Sequence, residues 1–212
     1  DKPTSLGIPP ALDELMTVLP ADLALVEQEL GKGDVAGVIL EPTGASMGLI
    51  PLPEGFLAGS RAACDRASSL LIYDEVITAF RFAPGGVQSL TSILPDLTAL
   101  GKVLSGGMPG GGVAGRADLM HLIAFQDDPL DNRFGRVPHT GTSNASPPPA
   151  AAGVATLRLV ADGEASRRAA ELGETLRNGL QEVALRHEAN WTIIGESSIF
   201  HWLAIPPEDF NT

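Results

Sequence analysis

The chain has 212 residues, of which 44% are apolar, and it carries a formal charge of −12 at pH 7. A chain of this size and apolar content can bury one large hydrophobic core, or one domain and part of another. The acidic balance argues against nucleic-acid binding, which depends on Lys and Arg to neutralise phosphates. The one cysteine, Cys64, excludes an intrachain disulfide and fits a reducing compartment.

No stretch of the sequence predicts a membrane-spanning helix, because the longest apolar runs have only the length of a strand. The first residues lack the basic-then-apolar order of a signal peptide. The chain also lacks an initiator Met and stops without a terminating element, so both ends look cut. We therefore expect a soluble cytoplasmic protein, seen in part.

The first elements in chain order predict a strand–helix–strand unit. A helix over residues 19–30 comes first, with Gly31 beyond its end. Residues 35–40 are an apolar run rich in β-branched side chains, which predicts a buried parallel strand. A helix over residues 53–68, with Cys64 facing the core, leads to a second buried strand over residues 70–73. Such a βαβ unit has a right-handed crossover.

The middle of the chain continues this alternation. A short strand is predicted over residues 96–100, and residues 106–115 form a turn that holds six of the 24 glycines. A short helix over residues 118–125 and a polar surface loop over residues 126–137 follow. Together these elements predict an α/β fold with a mainly parallel sheet and flanking helices.

Two helices are predicted next, over residues 150–161 and 164–187. Three successive prolines before the first of them are expected to delay its start. The second helix has leucine and valine at helical spacing, which predicts an inward-facing apolar stripe. The stripe consists of Leu172, Leu176, Leu180 and Val183.

The last part of the chain predicts a second, smaller sheet. Residues 192–194 and 199–205 are short apolar runs of strand length, separated from the first sheet by the long helix. We therefore predict a domain boundary near residue 160, between a large-domain segment (1–160) and the start of a small α+β domain (161–212).

An acid and an amine follow two neighbouring strands of the predicted sheet. Asp74, followed by Glu75, comes directly after the second strand, and Lys102 follows the short strand through Gly101. Since sites of α/β proteins lie at the carboxyl ends of parallel strands, both groups should enter one crevice. Alternatively, an Asp at a strand tip is a helix cap and a Lys beside Gly is a surface residue.

This pair suits an enzyme that uses pyridoxal 5'-phosphate (PLP). Such an enzyme needs a lysine that forms an imine with the cofactor aldehyde and then serves as a base. It also needs a carboxylate that keeps the pyridine nitrogen protonated, so that the ring can accept electrons. Lys102 and Asp74 are the candidates for these two tasks.

Five motifs occur in order between about residues 35 and 160. They are Leu40-Glu41-Pro42 with Met47-Gly48, LIYDEVITAFR at 71–81, PDLTALGK at 95–102, SGGMP at 105–109 and HTGTSNA at 139–145. Together they resemble the class III aminotransferases of fold-type I, and they look closest to the glutamate-1-semialdehyde aminomutase branch. The resemblance implies the carboxyl-terminal half of a PLP-binding large domain, followed by the start of the small domain.

The resemblance also implies roles for individual residues. Lys102 would form the Schiff base with PLP, Asp74 would pair with the pyridine nitrogen, and Val76 would pack against one face of the ring. Thr142 would bind the phosphate, usually that of the neighbouring subunit's PLP, which implies a homodimer.

The substrate candidates are Glu41, Ser46 and Arg81, of which Ser46 replaces an Asn that is usual in the aminomutase branch. Arg81 suits a substrate carboxylate, and a surface or subunit-interface ion pair is the alternative. The implied reaction is amino-group transfer, or a 1,2-amino shift, on an amino acid or on an amino aldehyde such as glutamate-1-semialdehyde.

A second hypothesis is a non-catalytic fragment or degenerate homologue that folds or dimerises without turnover. It is favoured because the phosphate cup, the ring-stacking aromatic and the C-terminal substrate residues of the family lie outside this chain. Metal binding is not indicated, because the four histidines have no metal-like spacing. A Rossmann-type nucleotide binder would need a glycine fingerprint after a first strand, which is missing.

Overall fold

Two separate sheets organise residues 6–206, the part of the chain that this computed structural model describes. The helices are α1 (Pro10–Asp13), α2 (Leu23–Leu30), α3 (Ala45–Gly48), α4 (Phe56–Ala67), α5 (Gly86–Thr91), α6 (Ala117–His121), α7 (Pro147–Val160) and α8 (Glu164–Arg186). The strands are β1 (Gly37–Leu40), β2 (Leu70–Asp74), β3 (Leu97–Leu100), β4 (Gly112–Gly115), β5 (Thr192–Glu196) and β6 (Ile199–Leu203).

The larger sheet has the strand order β1-β2-β3-β4. Strands β1, β2 and β3 run parallel, and β4 returns antiparallel to β3. The predicted α/β class and the parallel pairing of the first two strands are confirmed. The glycine-dense turn differs from the prediction, since its last four residues form strand β4.

The hydrophobic core lies between one face of this sheet and helices α2 and α4. Leu71 and Tyr73 of β2 are fully buried there, against a cluster that includes Phe56 and Cys64. The carboxylate of Asp22 caps α2 by accepting hydrogen bonds from the first backbone amides of the helix. Each large apolar side chain buried in this way stabilises the fold by about 1.5–3 kcal/mol.

The opposite face of the sheet is not covered by any helix among residues 6–206. Ile39 of β1 alternates with the inward-facing residues and is 65% exposed, and Val113 of β4 is also exposed. The strand predicted over residues 35–40 is parallel, as expected, but the prediction that it is buried is wrong. The apolar run is typical of a strand covered on both faces, but burial depends on the layers that are present.

The three prolines do not delay α7, so that prediction is also wrong. Helix α7 begins at Pro147 and takes all three prolines into its first turn, after Ser146. Proline is tolerated there because the first backbone N–H groups of a helix have no partner within the helix.

Helix α8 does not bury its predicted apolar stripe. Leu172 is 53% exposed, and Leu176 and Val183 are exposed as well. The helix instead buries small residues, among them Gly173, because the backbone of the β5–β6 hairpin approaches too closely for a side chain. Periodicity indicated a helix correctly, but it did not show which face would be covered by the neighbours.

The predicted second, smaller sheet is present, and its two strands form the antiparallel hairpin β5–β6. Trp191, which precedes β5, and Trp202 of β6 meet edge to face, with ring centroids 4.9 Å apart. This contact packs the two rings against each other. The division into domains at residue 160 stays a prediction.

A buried carboxylate joins three elements beneath the larger sheet. Asp96, which precedes β3, accepts hydrogen bonds from Arg61 at 2.8 Å, from the Leu71 amide at 2.8 Å and from Arg116 at 2.9 Å. Burial alone would raise the pKa of Asp96, but these three donors outweigh it and lower the pKa to about 2. Helix α4, strand β2 and Arg116, which lies between β4 and α6, are thus tied to one side chain.

Replacing Asp96 by asparagine is expected to lower the free energy of unfolding by about 2–4 kcal/mol at neutral pH, because two arginines lose their charged partner. The folded-state pKa of about 2 lies below the ordinary value of 3.8, so this stabilisation is present above pH 3.8. It should disappear as the pH falls towards 2. Urea unfolding across this range checks the prediction, with Asp118→Asn, an exposed partner of Arg116, as the matched control that should change little.

Candidate active site

The tips of β2 and β3 lie side by side. Asp74, the last residue of β2, is in register with Ala99 of β3, and Lys102 follows three residues later. The backbone amide of Glu75 donates a hydrogen bond to the Ala99 carbonyl at 3.0 Å, which ties the two tips together. The structure therefore brings the predicted acid and the predicted amine to neighbouring positions at one edge of the sheet.

The backbone of Lys102 is in an unusual conformation. Its φ angle is +46°, in the left-handed region that L-residues other than glycine rarely adopt, and it opens a 3-10 turn over Lys102–Ser105. Such a conformation costs about 1–2 kcal/mol for a residue with a side chain. Backbone strain of this kind clusters at functional sites, where the surrounding structure maintains it.

The side chain of Lys102 is exposed, and across residues 6–206 its amine takes part in no hydrogen bond or ion pair. The contrast is Lys32, whose amine pairs with Glu29 at 2.6 Å on the protein surface. The amine of Lys102 is thus free to react with a ligand.

Asp74 and Val76 complete the group at the strand tips. Asp74 is half-buried, and one of its carboxylate oxygens accepts a hydrogen bond from the Val76 amide at 3.1 Å. The side chain of Val76 packs over Gly101, where an added Cβ would lie 3.1 Å from the valine methyl. Asp74 therefore acts here as an acceptor within its own loop and does not cap a helix.

These residues fit the chemistry of PLP. A free amine, a carboxylate with one oxygen that accepts no hydrogen bond from the described residues, and an apolar side chain all lie at the two strand tips. The amine suits the aldehyde of the cofactor, and the carboxylate suits its protonated ring nitrogen. The apolar side chain suits the flat face of the ring. Each of the three groups was predicted from the sequence, and their roles towards the cofactor stay predictions.

The other predicted site residues are placed as follows. Glu41 accepts a hydrogen bond from the Ser46 amide at 3.1 Å, so these two lie together in the segment after β1. Thr142 is exposed in the turn before α7, and its hydroxyl has no hydrogen-bond partner in the described part of the chain. Arg81 is half-buried, and its Nε is buried without a partner among residues 6–206.

A cavity of about 470 Å³ lies away from the strand tips. It is lined by residues within 42–58, by Phe82, Thr91 and Ile93, and by the β5–β6 hairpin, and neither Lys102 nor Asp74 lines it. Its walls are mainly apolar, so its size alone does not make it a reaction site. No group of three or more His, Cys, Asp or Glu side chains in the described ranges could hold a metal ion. The same residues include no helix long and apolar enough to cross a membrane.

Comparison with known proteins identifies the family. Residues 11–202 match the family model described as Aminotransferase class-III. The chain belongs to the class III aminotransferases. This membership agrees with the five motifs, and it covers both sheets of the structure.

Relatives and solved structures agree with this assignment. Glutamate-1-semialdehyde 2,1-aminomutase of Akkermansia muciniphila is 38% identical over 99% of this chain and 48% of its own length. An omega-transaminase from Sphaerobacter thermophilus is 35% identical, with a TM-score of 0.84 over 96% of this chain and 45% of its own. A transaminase with PLP bound is 30% identical, with a TM-score of 0.81 over 94% and 46% of the two chains. These neighbours confirm the fold-type I class.

The chain spans about half the length of the relatives that it matches. The open face of the larger sheet and the exposed stripe of α8 are consistent with a class III fold represented only in part.

One residue near the strand tips, Glu75, was not predicted from the sequence to have a role. Glu75 is fully buried, and it is surrounded by donors from Thr78, Val87 and Gln88. The signal was present in the alternation of strand side chains, since a residue after Asp74 must point to the opposite face of the sheet.

Proposed function

We propose that this class III chain supplies the lysine-bearing part of a PLP-dependent enzyme that moves an amino group between two molecules or within one. The observation that carries the proposal is that Asp74 and the strained Lys102, whose amine has no partner among residues 6–206, lie at neighbouring strand tips. PLP, once bound, supplies an electron-accepting ring that stabilises negative charge at the substrate carbon.

The residues at the strand tips would have distinct roles towards the cofactor. Lys102 would attach it through its amine and would then take and return the proton at the substrate carbon. Asp74 would hold a proton at the pyridine nitrogen, because an anionic carboxylate favours the charged form of its partner. Val76 would cover one face of the ring and keep water away from it.

A second copy of the chain completes the proposed site. The exposed hydroxyl of Thr142 has no partner within residues 6–206, which supports a role at the phosphate of a neighbouring subunit's PLP. We therefore infer a homodimer. The unbridged thiol of Cys64 supports a reducing compartment, hence the cytoplasm.

The substrate class follows from Arg81 and the relatives. A half-buried guanidinium whose Nε lacks a partner suits a carboxylate, and both amino acids and glutamate-1-semialdehyde carry one. Glu41 and Ser46 are the further candidates for contact with the substrate. The aminomutase relative favours a 1,2-amino shift, while the omega-transaminase favours transfer between two molecules. Turnover of glutamate-1-semialdehyde compared with β-amino acids distinguishes these two reactions.

Reduction with borohydride in the presence of PLP tests the proposal directly. We expect a phosphopyridoxyl group on Lys102 and none on Lys32, because the amine of Lys32 is held by Glu29 away from Asp74. Peptide mass spectrometry locates the label. A chain that shows only free PLP in its spectrum and no label on Lys102 would instead be the non-catalytic fragment or degenerate homologue.

A further inference from the structure

The carboxylate of Glu75 is enclosed on the helix-covered face of the sheet. It is 0% exposed and accepts four hydrogen bonds: from the Thr78 hydroxyl at 2.9 Å, from the amides of Val87 at 2.7 Å and Gln88 at 3.3 Å, and from the Gln88 side chain at 3.1 Å. A buried carboxylate with fewer partners would destabilise the fold by several kcal/mol. Its complete set of donors keeps it in one orientation.

The helix α5 approaches this carboxylate through a glycine. Gly86 has φ +71°, and an added Cβ there would lie 2.4 Å from a carboxylate oxygen of Glu75. Only glycine permits both this backbone conformation and this distance. The start of α5 is therefore shaped around Glu75, and the loop between β2 and α5 closes back on the tip of β2.

The same network reaches the strand that leads to Lys102. The side-chain amide of Gln88 donates to Glu75 and also to the hydroxyl of Thr98, at 3.2 Å. Thr98 is a buried residue of β3 that is in register with Tyr73 of β2. The Glu75–Gln88–Thr98 bridge thus spans β2 and β3 on the face opposite to Asp74, while the Glu75 amide joins the two tips directly.

We propose that Glu75 is a positioning residue, which through Gln88 and Thr98 holds the tips of β2 and β3 at one separation and so sets the distance between Asp74 and Lys102. This inference rests on the proposed function, in which both groups must meet one PLP ring. Glu75 itself faces away from Asp74 and touches no reacting atom.

The physical reason is the spacing that a rigid ring demands. Asp74 and Lys102 act at two different atoms of the same cofactor, so a change of about 1 Å between the strand tips can lower the rate on the order of 100-fold. Each strand tip alone has few restraints, since β3 has only four residues. A buried bridge between the strands removes the remaining freedom before the cofactor binds.

Two variants test the bridge, and a third is the matched control. Glu75→Gln places an amide NH₂ among four donors, and Thr98→Val keeps the shape of the side chain but removes the acceptor for Gln88. Thr192→Val removes a buried hydroxyl of the same kind, which donates to the Ile205 carbonyl at 2.8 Å in the small hairpin. Thr98→Val and Thr192→Val each lose one hydroxyl contact, while Glu75→Gln replaces an oxygen that accepts two hydrogen bonds. Only Glu75→Gln and Thr98→Val break the bridge.

Amide hydrogen exchange without PLP is the first measurement. The Glu75 amide, which bonds to Ala99 across the tips, should exchange about tenfold faster in Glu75→Gln and Thr98→Val, as expected when a buried hydrogen bond of about 1.4 kcal/mol is lost. The rate in Thr192→Val should equal that of the wild type. Wild-type exchange in both bridge variants would contradict the proposal, and Thr98→Val provides this test even where Glu75→Gln does not fold.

Attachment of PLP to Lys102 is the second measurement, made below the unfolding temperature of every variant. The PLP concentration for half-maximal borohydride labelling should rise about tenfold in Thr98→Val and stay unchanged in Thr192→Val. In a protein that already carries Asp74→Asn, Thr98→Val should raise the PLP concentration for half-maximal labelling only slightly further. The reason is that the bridge acts through the separation of Asp74 and Lys102. Additive effects in this double-mutant cycle would mean that Thr98 affects stability only, which would overturn the positioning role.

The two measurements separate the positioning role from the proposed function. Absence of label on wild-type Lys102 would contradict the proposed function, while hydrogen exchange would still decide whether the bridge holds the tips. Faster exchange combined with unchanged labelling would show that the separation of the tips does not control the cofactor site, and the positioning role would be wrong.

Discussion

Replacement of Lys102 by alanine is expected to abolish the phosphopyridoxyl label and to reduce amino transfer by about 1,000-fold or more, because the same amine both attaches the cofactor and moves the proton. Its strained φ of +46° gives a second expectation. Lys102→Gly should retain or improve stability by about 1 kcal/mol while losing the label, since glycine adopts this conformation without strain. Chemical labelling, turnover and urea unfolding check the three expectations.

The matched control for this prediction is Lys32→Ala. It also removes one lysine amine, but that amine pairs with Glu29 at the surface, where such ion pairs contribute little. Label and turnover should both remain at wild-type levels. A Lys102→Ala protein that still carries the label at another amine would show that the reactive lysine has been assigned wrongly.

Replacement of Asp74 by asparagine is expected to leave the label on Lys102 at saturating PLP but to slow amino transfer by about 100- to 10,000-fold. Asparagine is neutral, so it cannot keep the pyridine nitrogen protonated, and the ring accepts electrons less readily. It does retain an oxygen that accepts the hydrogen bond from the Val76 amide, so the loop should keep its shape. A pH titration of the spectrum of bound PLP should show that the pyridine nitrogen loses its proton at lower pH.

The exposed carboxylate of Asp65 supplies the control for Asp74. Asp65→Asn removes a carboxylate that pairs with Arg61 at the surface of α4, and turnover should remain unchanged. An Asp74→Asn variant that loses the label together with turnover would indicate that Asp74 is needed to hold the cofactor. Wild-type turnover in Asp74→Asn would remove Asp74 from the site.

The local sequence predicted the elements whose signals lie within a few residues. The apolar spacing up to Leu30 marks helix α2, although the helix begins at Leu23 and not at residue 19, and the β-branched run before Glu41 marks β1. The motif order identified the family, which residues 11–202 confirm. The placement of Asp74 beside the strand that leads to Lys102 was also predictable, since parallel strands end at one edge of a sheet.

Two of the wrong predictions concern whether a neighbouring element covers an apolar surface, and the third concerns where a helix begins. The apolar stripe of α8 and the exposed Ile39 look like core residues by periodicity, but no element among residues 6–206 covers them. The triple proline was expected to delay the start of α7, although the same residues suit its first turn. In each case the residue type was compatible with two environments, and only the neighbours decided between them.

By itself, the sequence determined the family, the alternation of strands and helices, and the identity of Asp74, which ends β2, and of Lys102, which opens the 3-10 turn. These depend on local patterning and on contiguous motifs. Only the tertiary structure decided that Glu75 is enclosed by α5 and linked through Gln88 to Thr98. The physical reason is that these partners lie 10 to 13 residues apart in sequence. Loop closure and hydrogen-bond geometry bring them together, and no local periodicity of the sequence encodes either of these.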